Sequence, residues 1–141
     1  ESGKSAHQVP PLAGTHIVLV DDEPAILNAV GEMLVDCGCI MACFDNGDAA
    51  LGYYRQHADE VDLVILDMIM PDKGGRELYP LLKSINPDVR VLLSSGFSLN
   101  GEAQDILDMG VLGFLQKPFR MCELTAQIFH VIHPGDDPLK N

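Results

Sequence analysis

Apolar residues along this chain change their spacing repeatedly, and each change marks a switch between strand and helix. Residues 16–20, HIVLV, form an unbroken apolar run, as expected of a strand buried on both faces. In 24–38, PAILNAVGEMLVDCG, residues Ile26, Leu27, Val30, Met33 and Leu34 recur at helical spacing, with Pro24 suited to the first turn and Gly38 to the stop. The alternation continues with CIMACF (39–44) and DAALGYYRQHA (48–58), then VDLVIL (61–66) and GRELYPLLKSI (75–85). VRVLLS (89–94) precedes GEAQDILDMG (101–110), and LGFLQ (112–116) precedes RMCELTAQIFHVI (120–132). Five strand–helix units joined by short loops predict an α/β domain with a parallel sheet covered by helices on both sides. Pro80 predicts a disturbed start for the third helix, whose boundary is the least regular of the five.

Outside this pattern the chain is polar. Residues 1–14, ESGKSAHQVPPLAG, are rich in Pro and Gly and lack periodicity, and 133–141, HPGDDPLKN, reads as a solvated tail. The expected division is a linker or disordered tail over 1–14, one domain over 15–133 and a C-terminal tail over 134–141. The Gly3-Lys4-Ser5 triplet is no phosphate-binding loop, because the earlier glycine and preceding strand of that motif are missing.

Charge narrows the choice of partners. A formal net charge of −12 disfavours nucleic acid, whose affinity for proteins comes mostly from Lys and Arg displacing counterions. The apolar runs are short and interrupted by charge, and no signal-like start is present, so a cytoplasmic protein without direct membrane contact is expected. No CxxC pair occurs among Cys37, Cys39, Cys43 and Cys122, and buried, reduced thiols are the expectation.

In an open parallel sheet, ligands bind beyond the carboxyl ends of the strands, where loops diverge and helix N-termini point into the gap. Asp21, Asp22 and Glu23 follow the first predicted strand, Asp67 the third, Ser94 and Ser95 the fourth, and Lys117 and Pro118 the fifth. Taken singly, Asp22 reads equally well as a helix cap, Ser95 as a turn hydroxyl and Lys117 as a surface charge. Their convergence on one edge points to a site. Three neighbouring carboxylates repel one another unless something neutralises them, and a hard divalent cation bound through oxygen does so. Mg²⁺ fits, because it accepts one or two carboxylates, keeps its waters and then takes a phosphate oxygen.

The segments VLVDDEP, VILDMIMPDKGG, VLLSSGF and GFLQKPF, in this order and spacing, resemble the receiver domain of two-component signalling over residues of about 15–132. The resemblance implies a flavodoxin-like, doubly wound five-stranded sheet of order 2-1-3-4-5 with five helices. It implies that Asp67 accepts a phosphoryl group from a phosphohistidine, that Asp22 binds Mg²⁺ directly and Asp21 through water, and that the Ile69 carbonyl completes the metal site. Ser95 would hydrogen-bond the phosphoryl group, Lys117 would pair with it, and Phe114 falls at the switch aromatic position. The implied partner is a histidine kinase or histidine phosphotransfer protein, and a phosphorylation-dependent homodimer is compatible with the family.

Alternatives from other classes remain. Haloacid dehalogenase-like phosphatases also end a parallel strand on an Asp nucleophile, but they carry a second Asp two positions on as general acid, where this chain has Ile69. A receiver-like binding module that is never phosphorylated is the other. A signalling domain rather than an enzyme is the expectation. The start at Glu1, the linker-like N-terminus and the run VLLSSGFSLNGEAQ with GFLQKPF look similar to receivers fused at the C-terminus of hybrid sensor histidine kinases, with a stand-alone receiver as the second choice. His57, His130 and His133 fall at or near helix ends, where terminal carbonyls are the expected neighbours. Ile69 and Phe97 occupy the positions that flank the hydrolytic water in receivers. Their apolar bulk predicts a long-lived aspartyl phosphate.

Overall fold

A computed structural model of the chain describes residues 11–68, 70, 73–96, 108 and 110–134. The elements are β1 (His16–Val20), α1 (Pro24–Asp36), β2 (Ile40–Phe44), α2 (Gly47–His57), β3 (Leu63–Asp67), α3 (Gly75–Ile85), β4 (Val91–Ser95), β5 (Gly113–Gln116) and α4 (Met121–Ile132). The strands form one sheet of order β2-β1-β3-β4-β5, all parallel. This is the flavodoxin-like arrangement anticipated above. Of the five expected helices, the one over 101–110 lies outside the described residues apart from Asp108 and Gly110.

Strand composition follows position in the sheet. The central strands β3 and β4 are buried at every residue, and β1 at all but His16, so both faces of each are apolar. Val18, Val20, Val64, Leu66, Val91 and Leu93 face one layer, packing with Tyr54 of α2 and Leu78, Tyr79 and Leu82 of α3. Ile17, Leu19, Leu63, Ile65 and Leu92 face the other, against α1 and α4. The edge strand β2 has no fully buried residue, and here the sequence reading of four buried thiols fails. Only Cys39 is buried; Cys37 is intermediate, and Cys43 and Cys122 are exposed, all as free thiols.

Helix ends are set by local chemistry. Pro24 opens α1, and Gly38 in the left-handed region (φ +91°) closes it, with the Gly38 and Cys39 amides donating to the Val35 and Leu34 carbonyls. Asn46 caps α2 by accepting the Ala49 amide at 2.8 Å. In α3, Pro80 lies in the interior and not at the start, which corrects the sequence reading. The helix runs through it because Pro80 is exposed while Leu78, Tyr79 and Leu82 hold the opposite face in the core. Leu12, within the expected tail, is 2% exposed and packs against the β1–α1 layer, where the Cys39 thiol donates to its carbonyl at 3.7 Å. The packed body therefore extends ahead of residue 15. Among the described residues, no helix is long and apolar enough to cross a membrane.

Candidate functional site

Register brings the polar strand ends together. Val20 pairs with Leu66, so Asp21, the residue after β1, sits beside Asp67, the last residue of β3. Asp67 in turn pairs with Ser94, and Ser95 with Gln116, which places Lys117 one step beyond β5 on the same edge. Asp21, Asp67 and Ser95 are 1%, 4% and 1% exposed. Carboxylates this deeply buried are costly unless paired or bound to a cation.

Lys117 supplies part of the pairing. Its ammonium lies 2.8 Å from Asp21 Oδ2, 3.0 Å from Glu23 Oε1 and 3.5 Å from Asp67 Oδ2. Burial opposes the charge on Lys117, but hydrogen bonds to Asp21 and Glu23 and the nearby charges of Asp67 and Asp21 outweigh it and hold the ammonium above its ordinary range. The crevice thus favours the charged form of Lys117. Glu23, in the sequence only one of three acids after the first strand, is a direct partner of Lys117. A third acid at the start of a helix carries no sequence signal that distinguishes this role from a solvated one.

The turn after β1 is held by Asp21, whose Oδ1 accepts the Glu23 amide at 2.9 Å. Asp22 does not cap α1; the cap position is Glu23, without a side-chain bond to the helix. Asp22 is exposed, and together with Asp21 and Asp67 it offers carboxylate oxygens within 4.8 Å of one another. Three hard oxygen donors at this separation, two on buried residues and one open to solvent, suit a small divalent cation.

The segment that follows the nucleophile candidate is anchored on both sides. The Met68 amide donates to the Ser94 carbonyl at 2.8 Å, and the Gly75 amide to the Met68 carbonyl at 3.0 Å. A Cβ at Gly75 would lie 2.7 Å from Leu93 Cδ2 and 3.3 Å from Met68 Cα, so any larger residue there would displace the Leu93 side chain and crowd the turn after β3. Ile69 and Phe97 lie outside the described residues. On β5, the Lys117 amide donates to the Ser95 carbonyl at 2.7 Å, and the Lys117–Pro118 peptide is cis. Phe114, which pairs with Leu93, is partly buried against the core and lines a shallow cavity with Phe119, Gln127 and His130.

His57 and His133 have neighbours of their own. His57 meets the Glu60 carboxylate at 3.1 Å and stacks on Tyr53, and the His133 ring packs on Phe129. Their side chains thus contact a carboxylate and aromatic rings.

A family model described as the response regulator receiver domain matches residues 17–129. The DNA-binding transcriptional regulator NtrC of Azospirillum brasilense is 28% identical over 128 residues, covering 90% of this chain and 26% of NtrC. The sensor kinase CckA of Brucella abortus is 27% identical over 134 residues, covering 94% of this chain and 14% of CckA. The chain thus spans about a quarter or less of either relative. Among solved structures, a response regulator receiver domain protein from Clostridium thermocellum superposes with a TM-score of 0.75 at 27% identity, covering 84% of this chain and 94% of that one. The response regulator TrrA from Thermotoga maritima, solved in complex with Mg(2+)-BeF, gives a TM-score of 0.74 at 27% identity, covering 83% and 98%. With the sheet order, the acidic crevice and a family match across most of its length, this chain belongs to the response regulator receiver domain family, the phosphorylated signalling domains of two-component systems.

Proposed function

We propose that Asp67 is the phosphoacceptor and that residues of about 15–133, with Leu12 packed onto them, form the receiver unit. The observation that carries this reading is the placement of Asp67 at the end of β3, within reach of Lys117 and of the Asp21–Asp22 pair. A carboxylate oxygen of Asp67 attacks the phosphorus of a phosphohistidine on a histidine kinase or phosphotransfer partner. The P–N bond breaks, an acyl phosphate forms, and the imidazole leaves with its nitrogen electron pair. Such a transfer needs in-line positioning and neutralised oxygen charge more than acid–base chemistry. Lys117 supplies a fixed positive charge, and buried Ser95 a hydroxyl for a phosphoryl oxygen.

Asp21, Asp22 and Asp67 would hold Mg²⁺, with the Ile69 carbonyl as a further ligand. When bound, the ion neutralises negative charge on the carboxylates and on the transferring group. The arrival of a group carrying roughly −1.5 to −2 charge draws Ser95 inward, and Phe114 turns into the space released. The domain acts as a cytoplasmic signalling module without turnover of its own and without nucleic-acid contact. The likeness to CckA supports a place within a hybrid kinase. A phosphorylation-dependent homodimer is the oligomer compatible with this role.

Incubation with acetyl phosphate and Mg²⁺ tests the assignment. Intact-mass measurement should show one added phosphoryl group, absent from Asp67→Asn; equal labelling of that variant would overturn it.

A further inference from the structure

An ammonium has three N–H donors, and Lys117 meets three carboxylates, Asp21 at 2.8 Å, Glu23 at 3.0 Å and Asp67 at 3.5 Å. A phosphoryl oxygen on Asp67 is a fourth acceptor, so one of the three contacts must be given up when it arrives. Resting on the phosphoacceptor role of Asp67, we propose that Glu23 is a positioning residue that holds Lys117 at the mouth of the crevice and yields it to the phosphoryl group.

The three contacts differ in how easily they can be released. Asp21 is 1% exposed and its other oxygen already holds the Glu23 amide, so water cannot take the place of Lys117 on it. Asp67 carries the incoming group itself, and its contact with Lys117 is the longest of the three. The Glu23 side chain is 59% exposed, so water replaces Lys117 there at little cost. Its backbone is nevertheless fixed, because the Asp21–Glu23 turn bond aims the side chain across to a lysine 94 residues away in the chain. Glu23 therefore has a firm base and a releasable tip. While engaged, it holds the ammonium away from the phosphoryl position and adds a negative charge beside it.

Titration with beryllofluoride in saturating Mg²⁺, set against titration with Mg²⁺ alone, tests this. Glu23→Gln should bind the fluoride complex about two- to fivefold more tightly than wild type, the worth of one partly exposed ion pair. It should bind Mg²⁺ alone about two- to fivefold more weakly, because a negative charge near the cation is gone. Glu23→Asp keeps the charge but stops one methylene short of Lys117, and should gain in fluoride affinity while leaving Mg²⁺ affinity unchanged. Opposite movements of the two affinities are not produced by loosening the fold, which would lower both. Fluoride affinity equal to or weaker than wild type in both variants overturns the role of Glu23. A wild-type protein that takes up no beryllofluoride overturns the assignment of Asp67, and the role of Glu23 with it.

Discussion

The two ends of the sheet satisfy their polar groups in opposite ways. At the amino end, the polar groups around β1 pair with one another: the His16 amide donates to Asp62 at 2.9 Å, the His16 ring meets the Tyr53 hydroxyl at 2.8 Å, and Tyr53 stacks on His57, which meets Glu60. At the carboxyl end, Asp21, Glu23 and Asp67 share one ammonium, with Asp21 and Asp67 almost wholly buried and Asp22 beside them. These contacts are complementary, and their chemistry serves the fold. The carboxyl end carries an excess of like charge that folding alone does not reward, which marks it as the end built for an incoming cation and anion.

The sharpest break in that comparison is Asp67→Asn, which should abolish phosphoryl acceptance while a substitution at the amino end leaves it intact, as intact-mass measurement after acetyl phosphate treatment will show. Next, Lys117→Met should destabilise the protein by about 2–4 kcal/mol in urea unfolding, since it strands Asp21 and Asp67 without their cation. Added Mg²⁺ should restore part of the loss, and a variant as stable as wild type would mean that Lys117 does not balance these charges. Tyr53→Phe should cost only about 1 kcal/mol, the net worth of the lost bond to His16, with no change in phosphoryl acceptance. The smallest effect is expected at Asp22. Asp22→Ala should raise stability without metal by at most about 1 kcal/mol through relieved repulsion, and should weaken Mg²⁺ binding measured by calorimetry. Undiminished Mg²⁺ affinity would remove Asp22 from the metal site.

The alternation of strand and helix was legible because both faces of β1, β3 and β4 are buried, and burial on two faces leaves an unbroken apolar run. The polar residues of the crevice were legible because a carboxylate closing such a run, as Asp67 does, has few structural reasons to be there. What depends on contacts distant in sequence was not legible. Cys43 was expected to be buried, but β2 is an edge strand, and nothing in CIMACF distinguishes an edge strand from a central one. Leu12 sits among Pro and Gly residues that read as linker, yet a tertiary pocket takes it in. Pro80 is tolerated within α3 because packing of the helix's apolar face outweighs one missing backbone bond. Glu23 acquires its role only from Lys117, which follows the last strand.

The bond from the Lys117 amide to the Ser95 carbonyl has a consequence for protein design. It fastens the backbone of the crevice ammonium directly to that of the crevice hydroxyl, so the two positions behave as one part. Grafting either strand end alone into another scaffold would transplant a side chain without its seat. An engineer who wants to retune the pocket must exchange the ends of β4 and β5 together, keeping their register.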